Sequence, residues 1–297
     1  MSALARQLFE QLPVVPEFEG NETMLDVLKA HWPEYLIEAA GLIGFMLGAG
    51  LLALTLEHPD SPIHQVFGEQ ALLRRVPLGL LMGTYIAAFI YSPWGQRSGA
   101  HINPAVTWSF YRLGKIRLWD AAFYTLAQFA GAILIAQLLK LALGEPFAHP
   151  AVNYAATAPK PGVHDTLDAF VAEFIISFIM MLVALAATNS QRFEKYTGFF
   201  IGLLLAIYLI VETPYSGMSL NPARSFGSAL AARHWMDLWV YFTAPPLAML
   251  LATEMFRYLK KGQLSSCAKL RHRADRSCIF CDHKEGPDYP VAEEAAA

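Results

Sequence analysis

The chain has 297 residues, of which 55% are hydrophobic and only 16% charged, where a soluble domain carries about a quarter charged residues. That composition excludes a protein soluble throughout. A formal net charge of −3 says little about partners, no basic stripe interleaved with aromatics points to nucleic acid, and three cysteines, all beyond residue 266, exclude a disulfide framework.

Residues 1–33 are polar, with Pro13 and Pro16. They lack the basic run, apolar core and small-residue cleavage site of a signal peptide. A cytoplasmic N-terminal segment is expected there, then a channel-like domain over 34–260 and a polar tail over 261–297. The first apolar run, about 35–56, contains Glu38. A polar loop with His58-Pro59-Asp60-Ser61-Pro62 leads to a second run, about 76–92. Then comes Ser98-Gly99-Ala100-His101-Ile102-Asn103-Pro104-Ala105, opening a short helix of about 104–112. A third run covers about 119–143, and residues 144–165 form a loop. The fourth run, about 167–188, contains Glu173, and the fifth covers about 197–213. Ser216-Gly217-Met218-Ser219-Leu220-Asn221-Pro222-Ala223-Arg224 follows and opens a second short helix of about 222–232. The sixth run is about 237–259.

Each run is near the roughly 20 apolar residues that span a bilayer. Asn caps a helix N-terminus well, and Pro fits the next position because its φ is preset and its missing N–H would be unbonded anyway. Both Asn-Pro-Ala stretches therefore read as loops entering helices too short to span. The order is an internal repeat, about 34–144 and 166–260: a run with a Glu, a run, a half-helix, a run. Three spans per half is odd, so the halves insert in opposite orientations, and such repeats place their site near the midplane at half-length helices. Irregular backbone at that depth survives only buried in protein or lining water. The expected fold is an all-α membrane protein with six transmembrane helices and two re-entrant half-helices in an inverted repeat. Lys and Arg cluster in segments such as Arg112-to-Arg117 and Arg257-to-Lys261, which favours both termini in the cytoplasm. Arg74-Arg75 is the main exception.

These residues resemble the aquaporin (major intrinsic protein) family, over about 34–260. The resemblance rests on Ser-Gly-Ala-His-Ile-Asn-Pro-Ala-Val-Thr at 98–107, Asn-Pro-Ala-Arg-Ser-Phe-Gly-Ser-Ala at 221–229, and the Glu in the first span of each half. It implies a passive, non-enzymatic pore for water in the lipid bilayer of a plasma or bacterial inner membrane. It also implies a homotetramer and no cofactor for transport. Asn103 and Asn221, with Pro104, Ala105, Pro222 and Ala223, would form the central constriction. Backbone carbonyls of Gly99, Ala100, His101, Gly217, Met218 and Ser219 would form an acceptor ladder, Glu38 and Glu173 would support the two loops, and Arg224 would line the outer constriction. Ser225, Ala229, Tyr241 and Phe242 fit the water type rather than the glycerol type. Counting against the family puts Met82 or Gly83, Leu209 and Met218 around Arg224. That filter is more apolar than a strict water channel's, so glycerol or other small neutral solutes are the alternative cargo. Glu212 is a departure that either pairs with Arg224 or faces the outer vestibule.

The tail carries Cys267, His272, Cys278, Cys281 and His283, the ligand types of a four-coordinate zinc site. One reading is a small structural zinc knuckle; the other is a basic tail with incidental cysteines. The knuckle keeps open a further alternative, a non-conducting sensor of metal or redox state.

Overall fold

The computed structural model describes residues 23–159, 162–260, 267–272 and 278–281. Eight helices carry the architecture: α1 (Met24–Glu57), α2 (Ala71–Tyr91), α3 (Pro104–Arg112), α4 (Leu118–Ala148), α5 (Thr166–Thr188), α6 (Thr197–Val211), α7 (Pro222–Ala232) and α8 (Leu238–Leu259). The six long ones are the transmembrane helices, and α3 and α7 are the half-helices. Among the described residues, α1, α2, α4 and α5, and α6 together with the turn from Glu194, have the length and hydropathy to cross a membrane. The sixth, α8, spans 22 residues but contains Pro245 and Pro246 and ends near Arg257.

Local chemistry sets where these helices begin. Thr23 and Asp26 form a reciprocal capping box, so α1 starts ahead of its apolar run. Asp165 and Asp168 do the same for α5. These boxes satisfy backbone N–H groups that the first turn leaves without partners. In α4 the helix bends at Gly144, whose φ of 58° lies in the left-handed region, and a further turn runs to Ala148. The start of the expected 144–165 loop is thus partly helical.

Packing repeats between the halves. The first span of each half lies along its third: α1 on α4, and α5 on α8. The second spans, α2 and α6, cross each other at the seam. Each half-helix packs on the last span of the other half, α3 on α8 and α7 on α4. The α2–α6 crossing brings backbones together at Gly83 and Gly202. A Cβ on Gly83 would lie 2.4 Å from the Gly202 oxygen, and one on Gly202 2.5 Å from the Gly83 oxygen. Small residues allow this approach, which is how helices associate in lipid without a hydrophobic driving force. Arg74, the exception to the charge bias, is 3.0 Å from Glu57 and donates to the Gly68 oxygen.

Candidate functional site: a pore between two half-helices

The two Asn-Pro-Ala loops meet back to back. Asn103 is extended (φ −153°), and its Oδ1 accepts from Ala105 N at 2.9 Å. Asn221 is extended too (φ −140°), and its Oδ1 accepts from Ala223 N at 3.0 Å and Arg224 N at 3.2 Å. Each amide also donates across the seam: Asn103 Nδ2 to Leu220 O at 2.8 Å, and Asn221 Nδ2 to Ile102 O at 2.7 Å. A side-chain amide has two N–H donors, so one remains on each Asn. Both side chains line a central cavity of about 90 Å³, whose wall is otherwise largely aliphatic.

The loops entering the half-helices are held in unusual backbone. Ala100 (φ 59°), Ile102 (41°), Met218 (51°) and Leu220 (60°) are left-handed without being glycine. Such residues cost on the order of 1–3 kcal/mol each and persist where surroundings over-determine them. Here two buried carboxylates do so. Glu38 Oε1 accepts from Ser98 Oγ at 2.7 Å and His101 N at 3.1 Å, and its Oε2 accepts from Ile102 N and from Gln128 Nε2 at 2.9 Å. In the second half, Glu173 Oε1 accepts from Ser216 Oγ at 2.7 Å and Ser219 N at 2.6 Å, and Oε2 from Leu220 N at 2.8 Å. Two tyrosines complete the symmetry, Tyr124 donating to Ser98 O and Tyr241 to Ser216 O.

On the far side of the Asn pair lies an outer cavity of about 350 Å³. Arg224, Leu209 and Gly217 line it with Leu78, Ala156 and Ala158, and none of its described lining residues is aromatic or His. Met82 and Met218 are buried, at 2% exposure each, and do not line it. Gly83, expected near the filter, sits in the α2–α6 crossing against Gly202. Glu212 is buried, and neither of its carboxylate oxygens has a hydrogen-bond partner; nor does Arg224 Nη1. The two residues are therefore not joined directly.

The family model for major intrinsic proteins matches residues 69–256. The chain belongs to the major intrinsic protein family. It is 32% identical over 206 residues to aquaporin NIP2-3 of Zea mays, covering 69% of this chain and 65% of that protein. It is 33% identical over 209 residues to aquaporin NIP2-1 of Oryza sativa subsp. japonica, 67% of each chain. Aquaporin NIP2-2 of Zea mays is 35% identical over 179 residues, which cover 58% of that protein. The chain thus spans about three fifths of the length of the first relatives it matches. The crystal structure of the aquaglyceroporin from Plasmodium falciparum matches the fold with a TM-score of 0.62 at 19% identity, covering 76% of this chain and 95% of that one.

Several of the groups just described lie outside the short motifs of the two loops. Gln128 and Tyr124 sit on α4, and no spacing rule links them to Glu38 or Ser98. Thr157, from the loop before α5, bonds Ser225 Oγ at 2.8 Å, and Ser225 in turn contacts Ser219 Oγ at 2.5 Å. An inward-facing Gln in an apolar span is the one sequence signal that could have marked Gln128. Against the first Asn-Pro-Ala loop, where Ala268 O bonds His101 and Leu270 N bonds Gly99 O, Cys267, His272, Cys278 and Cys281 come together. His283 lies outside the described residues.

Proposed function

We propose that the chain forms a passive pore for water and for small uncharged solutes of about glycerol's size, excluding ions and protons. The observation that carries the solute part is the outer cavity, which Arg224 lines together with Leu209, Gly217, alanines and, toward its rim, Glu57, Arg74 and Arg75, with no aromatic or imidazole group among its described lining residues; Phe147 and Tyr154 meet Arg224 in a separate, smaller cavity. A wall of that kind holds a polyol's carbon skeleton while the Arg guanidinium donates to its hydroxyls. The two lumen N–H groups of Asn103 and Asn221 then hold one oxygen at a time. A water held by donors at its oxygen does not accept from its neighbours, so the file of hydrogen bonds is broken and protons do not hop. Transport on this reading needs no cofactor. The pore is one of four in a homotetramer, with both chain ends on the cytoplasmic side of a plasma or bacterial inner membrane.

Stopped-flow shrinkage of proteoliposomes tests the reading. Under an impermeant osmolyte, with a strong chelator present so that no metal is held by the tail cysteines, shrinkage should be much faster than in empty liposomes. Under a glycerol gradient, re-swelling should be accelerated too. Fast water flux with glycerol flux at the level of empty liposomes would reduce the proposal to a strict water channel.

A further inference from the structure

The described tail residues do two things at once. First, they assemble a ligand set. The ligand atoms of Cys267, His272, Cys278 and Cys281 all lie within 4.8 Å of one another. Cys267 Sγ is 3.4 Å from Cys278 Sγ, and Cys281 Sγ is 3.3 Å from His272 Nε2. A tetrahedral Zn²⁺ with thiolates at about 2.3 Å and imidazole at about 2.0–2.1 Å sets its ligand atoms about 3.5–3.8 Å apart. The cluster therefore needs only small shifts to close on one ion. Three sulfurs and one imidazole select zinc over calcium or magnesium, which take oxygen ligands.

Second, the same residues sit in a mouth of the pore. His101 Nε2 donates to Ala268 O at 2.7 Å, and Leu270 N donates to Gly99 O at 3.1 Å. The Phe280 ring stacks on His101, with centroids 5.9 Å apart and planes 13° from parallel. Ala268, Lys269 and Leu270 are all buried. Leu270 lines the same central cavity as Asn103 and Asn221. Gly99 and His101 belong to the loop whose carbonyls would pass water, so the tail occupies the path by which solute would reach Asn103.

We propose that Cys267, His272, Cys278 and Cys281 bind one Zn²⁺, and that the metal-folded knuckle plugs this mouth of the pore. Among the described residues 267–272 and 278–281 no helix or strand holds the four side chains together, and metal binding supplies the folding free energy in sites of this kind. Loss of the ion releases residues 267–272 from Gly99 and His101 and opens the mouth. The metal site stands on the cluster alone, whereas the plug rests on the channel reading.

Two measurements on the full chain separate these claims. Purified without chelator, it should carry about one zinc per chain. Exchange with Co²⁺ should give the thiolate charge-transfer and tetrahedral ligand-field bands. Cys278→Ser and Cys281→Ser should lose both while eluting like the parent in detergent. A parent chain without metal, and without cobalt bands after reconstitution, overturns the site. In proteoliposomes, removing zinc with a strong chelator should raise water flux severalfold and restoring it should reverse the change, with Cys278→Ser fast throughout. Equal flux in all these states overturns the plug. If every form matches empty liposomes, the channel reading falls and the plug with it, while the zinc count still decides the site.

Discussion

Glu38 and Glu173 show at the scale of single residues why the pore loops keep their shape. Each carboxylate accepts several hydrogen bonds, and at Glu38 both oxygens take two donors. Glu38→Gln keeps one oxygen and turns the other acceptor into a donor that faces donors. Two buried donors then lose their partner, at about 1–3 kcal/mol each. The expected outcome is a lower melting midpoint in detergent and a severalfold fall in water flux. Glu173→Gln should do the same to the second loop. A midpoint and flux equal to the parent's would show that the left-handed residues are held by something else. The two Asn-Pro-Ala stretches were legible in sequence because a helix cap is a local code: three adjacent residues suffice. The outer filter was not, because it depends on the rotation of α2 and α6 about their axes. One residue's error in phase turns a side chain by about 100°. That is why counting brings Gly83 near the filter while the fold sets it in a helix crossing.

Among elements, the contact of α2 with α6 joins the halves. It is a backbone-to-backbone approach, with Gly83 and Gly202 each leaving no room for a Cβ beside the other's carbonyl. Neither carbonyl can move without breaking its helix ladder. Gly202→Val would force the two helices apart along the whole crossing and loosen the cavity between them. We expect little folded protein to be recovered from membranes, read as the monodisperse fraction in gel filtration. An exposed change to Val at Leu203 on the same helix should leave recovery intact, because that side chain is 46% exposed. Equal recovery of the two variants would sink the argument. The helices themselves were legible as apolar runs near spanning length. Their ends were less so: α1 begins at Met24 because a polar capping box overrides the composition, and α4 continues past Gly144 because a glycine bends the helix without ending it.

Across the whole molecule, the inverted repeat is an electrostatic device. Order alone made it legible: Glu span, span, half-helix, span, twice. The docking of the tail was not legible, since no pattern links His101 to Ala268, 167 positions away. Opposed insertion points the N-termini of α3 and α7 at each other across the central cavity. Each N-terminus carries about half a positive charge, so about one unit faces the lumen from two sides, with two amide donors and no carboxylate among the described residues that line the cavity; Glu38 and Glu173 sit behind the loops on Ile102 N and Leu220 N. On the proposed reading, cations and hydronium would meet a barrier there, whereas a neutral molecule would meet only hydrogen-bond donors. Replacing both amides, Asn103→Asp with Asn221→Asp, reverses that sign. The caps survive, because a carboxylate accepts from Ala105 N or Ala223 N as well as an amide oxygen does and suits a helix N-terminus. Each Asp also loses the donor that bonded Leu220 O or Ile102 O, since a carboxylate only accepts, so the melting midpoint should fall while the caps hold, and the barrier is lost. Liposomes holding a pH-sensitive dye, with zinc removed by a chelator, should show no proton entry through the parent under a pH step, and a clear leak through the double variant. A variant that folds, passes water and still excludes protons would mean that the helix N-termini alone, without the amides, set the barrier.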